Sequence, residues 1–108
     1  MDIGNPSNFV RVLTLFNNDY AAFKKMITAI KINDAETIAT IKKVSREYQY
    51  LLDFHTSVGF AAAEKIRSTV MQQVVLSTAS PIKFAAEIKK ATEIFVDDQE
   101  EIKKLQQT

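Results

Sequence analysis

Apolar residues recur at every third or fourth position along most of this chain and alternate in only a few short stretches. Phe9, Val12, Leu13 and Phe16 keep helical spacing. Gly4-Asn5-Pro6 precedes them as a turn and start signal, with Asn5 as cap and Pro6 at the first helical position, where its missing N–H costs nothing. Asn17-Asn18-Asp19 breaks the period. A second helix is predicted over 20–29, with Phe23, Met26 and Ile27 inward, and Ile30-Lys31-Ile32 alternates as a short strand would. Asn33 followed by Glu36 three residues later reads as a capping box. It opens a helix with Ile38, Ile41, Val44 and Tyr48 on one stripe and an end near Tyr50.

A further helix is expected to begin at His55 or Thr56. Gly59, Ala61, Ala62 and Ala63 make it rich in small residues, which lets it approach a neighbour closely and suggests a central place. Gln73 to Ser77 reads as a buried strand, short and β-branched. Ser80-Pro81 repeats the cap-plus-proline start, and Phe84, Ile88, Ala91 and Phe95 form the stripe of the helix that follows. Residues 97–107 are polar and charged, and read as a frayed terminal helix. The pattern gives five or six helices and one strong strand, an α/β chain that is mostly helical. The strand needs a partner for its backbone groups. Only Ile30–Ile32 and the Leu51-Leu52 stretch are on offer, which points to a strand taken from a larger sheet.

Composition narrows the class. The chain has 108 residues, enough for one domain with a modest core, and with 2 Gly and 2 Pro it is not loop-rich. Cysteine is absent and His55 is the sole histidine, which excludes disulfides, thiolate metal sites and multi-histidine sites within the chain. Fourteen basic and 13 acidic residues leave a net charge of +1, with no electrostatic footprint for nucleic acid or an anionic membrane. The apolar runs are too short to span a bilayer, and the first residues lack the basic start and apolar stretch of a secretory leader, so a cytoplasmic setting is expected. Four lysine pairs (Lys24-Lys25, Lys42-Lys43, Lys89-Lys90 and Lys103-Lys104) have acidic neighbours and read as solvated faces.

Two places could carry chemistry. The Ser77-Thr78-Ala79-Ser80-Pro81 turn sets hydroxyls beside a helix N-terminus, where a polar acceptor is favoured. The plainer reading is that Ser80 caps its helix and Thr78 makes a turn contact. At Asp53-Phe54-His55-Thr56 the carboxylate could orient the imidazole for acid–base work. The plainer reading, that Asp53 caps a helix and His55 is a half-buried residue at its start, is preferred because no nucleophile motif accompanies the pair. No Gly-rich phosphate loop or metal-ligand spacing occurs.

Four blocks in order carry a resemblance: Met1-Asp2-Ile3-Gly4-Asn5-Pro6-Ser7-Asn8-Phe9, Asp34-Ala35-Glu36-Thr37-Ile38, Tyr50-Leu51-Leu52-Asp53-Phe54-His55-Thr56-Ser57-Val58-Gly59, and Leu76-Ser77-Thr78-Ala79-Ser80-Pro81-Ile82-Lys83-Phe84. Together they resemble the C-terminal stretch of the longer threonine synthases. Two positions depart from the family pattern: Phe54 stands where proline is usual, and Ser80 where histidine is usual. The resemblance implies a piece of the large domain of a fold type II pyridoxal-phosphate enzyme, which converts O-phosphohomoserine to threonine and phosphate. It implies that Thr78 hydrogen-bonds the pyridine nitrogen of the cofactor and that Asn5 lies near the cofactor. His55 and Thr56 would face the substrate side. The Schiff-base lysine and the phosphate-gripping loop would come from the N-terminal remainder of the enzyme. Met1 corresponds to an internal family position, so residues 1–108 are expected to be one C-terminal domain or fragment, inactive alone and prone to self-association through its exposed interface. The competing reading is a free-standing helical interaction module without catalytic activity.

Overall fold

The computed structural model describes residues 4–67, 69 and 71–95. Among them are five α-helices, one 3-10 turn and no strand. They fall into two compact units, residues 1–30 and 31–108, each taken on its own below.

In the first unit, α1 (Phe9–Leu15) and α2 (Tyr20–Met26) flank the predicted break. Asn17 and Asn18 both take left-handed backbone, at φ 50° and 55°, which asparagine tolerates better than most residues. Asp19 then caps α2, its carboxylate accepting the Ala22 N–H at 3.1 Å. The start of α1 differs from expectation. Asn5 is not its cap; the Pro6 carbonyl accepts the Phe9 N–H in a preliminary turn, and the helix begins at Phe9, behind Asn8. Phe23 gathers the rings of Phe9, Phe16 and Tyr20 at 6.3, 5.6 and 6.5 Å between centroids. No residue of either helix is fully buried. The second helix stops at Met26 rather than Ala29, with Met26 and Ile27 exposed instead of inward.

The second unit is built on α3 (Asp34–Tyr48) and α4 (Phe54–Lys65). The capping box forms as predicted: the Asn33 side chain accepts the Glu36 N–H at 2.9 Å, and the Glu36 carboxylate accepts the Asn33 N–H at 2.9 Å. Gln49, left-handed at φ 52°, ends α3. Ile41, Val44 and Leu52 form the core, with Leu51, Phe54 and Phe60 packed around it. Of the small residues expected to bring α4 close to a neighbour, Ala61 is buried and Gly59 is exposed; Ser57 makes the contact with α3 instead, buried and with its hydroxyl donating to the Thr37 carbonyl at 2.8 Å. Two ion pairs tie the helices at the surface, Lys43 to Glu64 and Lys65 to Glu36, each at 2.5 Å. Tyr48, expected on the buried stripe, is exposed.

Ser80 caps the 3-10 turn Pro81–Phe84, accepting the Ile82 N–H at 3.4 Å, and α5 (Ala85–Thr92) continues from it. Ile88 is wholly buried, and α5 packs on α3. The helix ends at Glu93, left-handed at φ 64°. Phe95 therefore falls beyond the stripe predicted for it; it is exposed, with the Lys89 ammonium 4.3 Å above its ring. Neither predicted strand forms. Residues 30–32 and 73–77 carry no ladder among the described residues. The physical reason is the one that made the strand awkward in sequence: its backbone groups find no second strand to bond. The polar stretch 97–107 lies outside the described residues.

Candidate functional site

The N-terminus of α4 is a compact hydrogen-bonded knot. Asp53 is 1% exposed, and a carboxylate so buried must be fully satisfied. Its Oδ1 accepts the backbone N–H groups of His55 at 2.8 Å and Thr56 at 3.3 Å. Its Oδ2 accepts the Thr56 hydroxyl in a short contact. The His55 Nδ1 lies 3.3 Å from the same Oδ1. Asp53 is thus a helix cap, as the plainer sequence reading had it, and it also touches the imidazole; His55 is exposed rather than half-buried. The His55 ring, partly exposed, tilts against Phe84 at 5.5 Å between centroids. Phe54 occupies the first helical position of α4, where proline is equally at home, and meets Phe84 edge-on at 6.2 Å.

Beside this knot lies an open cleft of about 390 Å³. Its walls are Val44 and Tyr48 from α3, Tyr50 and Leu52 from the connection, Thr56 and Phe60 from α4, and Val75 and Ser77 from the extended segment. The lining is largely hydrocarbon, with hydroxyls from the two tyrosines, Thr56 and Ser77. The Thr56 hydroxyl already donates its hydrogen bond to Asp53, so toward the cleft it can only accept. Val75 reaches α4 closely: its Cγ1 lies 3.3 Å from where a Cβ on Gly59 would stand. A cleft with apolar walls and a few convergent polar groups suits a small organic ligand or an inserted side chain.

The expected site residues are distributed as follows. Thr78 is exposed, one residue past the cleft wall, while Ser80 two residues on is engaged as a cap. Thr56 and Ser77 share the cleft, whereas His55 faces Phe84. Asn5 is exposed in the first unit. The sequence reading missed the cleft walls Tyr48, Tyr50 and Phe60 and the Val75–Gly59 contact. The pair Tyr48 and Tyr50, two apart at a helix end, was the available signal.

Charge is balanced at the α3–α4 surface. The Lys65 ammonium, and after it the Asn33 N–H, hold the Glu36 carboxyl below the usual glutamate range. The Glu64 carboxylate raises Lys43 above the usual lysine value. Among the described residues there is no cluster of three or more metal-ligating side chains, and no helix long and apolar enough to cross a membrane.

Comparison with known proteins adds what geometry alone does not. The family described as "Threonine synthase, C-terminal" matches residues 56–108. A threonine synthase from Pseudomonas aeruginosa is 32% identical over 80 residues, 73% of this chain and 17% of that protein. One from Saccharomyces cerevisiae is 36% identical over 75 residues, 62% of this chain and 15% of that protein. One from Schizosaccharomyces pombe is 30% identical over 80 residues, 70% of this chain and 16% of that protein. The chain therefore spans about one sixth of the length of the curated relatives it matches. No solved structure matches it.

Proposed function

The chain belongs to the threonine synthase family, whose C-terminal region it matches, and from that premise we propose that it serves as the cofactor-nitrogen side of such an enzyme. The observation that carries this reading is the placement of the match: it covers most of this chain and about one sixth of each relative. The parent activity is proposed to be that of a pyridoxal-phosphate-dependent lyase, eliminating phosphate from O-phosphohomoserine and adding water to give threonine.

Pyridoxal phosphate, when bound, supplies an electron sink for carbanion chemistry. The residues present fit a neutral partner for its ring nitrogen. Thr78 stands exposed at the end of the extended segment, and the Ser80 hydroxyl is already used as a cap. In this reading the Thr78 hydroxyl donates to the ring nitrogen and, being neutral, does not hold a proton there as a carboxylate would. Asn5 is proposed to lie near the cofactor as well. Thr56 and Ser77 contribute cleft hydroxyls beside apolar walls from Val44, Leu52 and Phe60. The anchoring lysine and the phosphate loop come from the N-terminal remainder of the enzyme. That remainder also supplies the strand against which residues 73–77 pair within an α/β sheet of the fold type II kind, and the cover for exposed Val74 and Leu76.

The test is to mix the 108-residue chain with pyridoxal phosphate and reduce with borohydride. No stoichiometric labelling of a single lysine is expected. One lysine labelled mole for mole would mean that the chain carries its own cofactor anchor, and the proposal would be wrong.

A further inference from the structure

The extended segment after α4 comes against α4 at Val75. Val75 is half-buried, while Val74 and Leu76 on either side are exposed. Its Cγ1 comes to 3.3 Å from the position of a Cβ on Gly59, in the middle of α4. Gly59 does not take positive φ, so its backbone makes no demand for glycine. Glycine also weakens a helix interior. What the bare Cα does provide is room for Val75. Two residues further on, Ser77 lines the same cleft as Val75, Thr56 and Phe60, and Thr78 follows at most about 10 Å of chain beyond Val75.

We propose that Gly59 is a positioning residue: the seat it offers Val75 pins the segment to α4 and so sets where Ser77 stands in the cleft wall and where Thr78 stands beside it. The functional half of this inference rests on the reading of Thr78 as partner of the cofactor's ring nitrogen; the seat itself does not. A methyl group at position 59 would crowd Val75 by a few tenths of an ångström, and a β-branched side chain would displace it. Gly59 lies on an exposed part of α4, so these changes leave the α3–α4 core intact.

The experiment compares the 108-residue chain with Gly59→Val and with the double change Gly59→Ala, Val75→Ala, which moves the methyl from one partner to the other. Two readouts are taken: the nuclear Overhauser contact between the residue-75 methyls and residue 59, and the rate of chymotryptic cleavage after Leu76. Gly59→Val is expected to abolish the contact and speed cleavage about fivefold or more, with helical circular dichroism retained; the double variant should stay within about twofold of the parent. Unchanged cleavage in Gly59→Val, or a double variant cut as fast as Gly59→Val, overturns the seat. In the full-length enzyme bearing this region, the pH midpoint of the bound cofactor's absorbance should shift in Gly59→Val in the same direction as in Thr78→Ala, and not in the double variant. If Thr78→Ala moves the midpoint and Gly59→Val does not, the positioning role is overturned. If Thr78→Ala itself moves nothing, the cofactor reading of Thr78 fails, and the seat is then decided by the methyl contact and cleavage alone.

Discussion

Among the described residues of the second unit, Asp53 gathers the most side-chain hydrogen bonds, and it does so from inside the protein. Two backbone donors and one hydroxyl converge on its carboxylate, with the His55 ring alongside. Replacing it by alanine removes the cap of α4 and leaves the Thr56 hydroxyl without its acceptor. The expected cost is about 2 kcal/mol or somewhat more, and less for Asp53→Asn, which keeps an acceptor for the backbone. Urea unfolding of the three proteins checks both the size and the order. Glu36 gives a second residue-scale expectation. Its folded carboxyl titrates below the unfolded one because Lys65 and the Asn33 N–H favour the charged form. Its contribution is therefore complete above the unfolded value and is lost as pH falls through the lower, folded value. Carboxyl carbon NMR should show Glu36 titrating lower than the exposed glutamates, and Lys65→Met should bring it back up. Lys43 has the opposite sign: Glu64 raises it, so its contribution holds at neutral pH and fades only in strong alkali.

At the scale of elements, the contact between α3 and α4 depends on side chains small enough to let the helices close. Ser57 stands in this contact, wholly buried and bonded to the Thr37 carbonyl. Ser57→Leu should overpack this contact and cost about 1–3 kcal/mol beyond the lost hydrogen bond, read as a fall in the unfolding midpoint with little change in isolated helix propensity. The elements that were legible from sequence share one property: their chemistry is local. Asn33 and Glu36, Asp53 with its following turn, and Ser80 before Pro81 each satisfy helix donors within a few residues, and all three caps form. One local cap also failed, Asn5, because the helix begins at Phe9 behind Asn8; the other failures needed distant partners. Residues 73–77 have the composition of a strand, but the ladder is a property of two segments, and none of the described residues supplies the second. Likewise the apolar spacing that placed Met26 and Ile27 inward identifies a face without saying whether anything covers it, and here both are exposed. The cleft was invisible for the same reason, since its walls come from four separate stretches of chain.

Among the described residues, buried apolar side chains are few: Ile41, Val44, Leu52, Ala61 and Ile88. Small domains have little stability in reserve, roughly 5–15 kcal/mol at most and toward the low end at this size. Ile41→Ala should cost about 2–5 kcal/mol through lost burial and the cavity left behind, enough to populate the unfolded chain at room temperature; circular dichroism and thermal melting will show it. Exposed Leu15, Met26, Met71, Val74 and Leu76 belong to the same picture: each is large, apolar and uncovered. Surfaces of this kind are ordinary where one polypeptide segment packs against another, and the proposed remainder of a threonine synthase is the partner that would cover them.

That proposal is tested most directly by reading the source gene upstream of the codon for Met1. An open frame is expected to run back, without interruption, through a lysine-bearing cofactor motif and a phosphate-binding loop. A stop codon and a ribosome-binding signal immediately before Met1 would contradict it, because the chain would then be made alone and its kinship to threonine synthases would record descent rather than a shared active site.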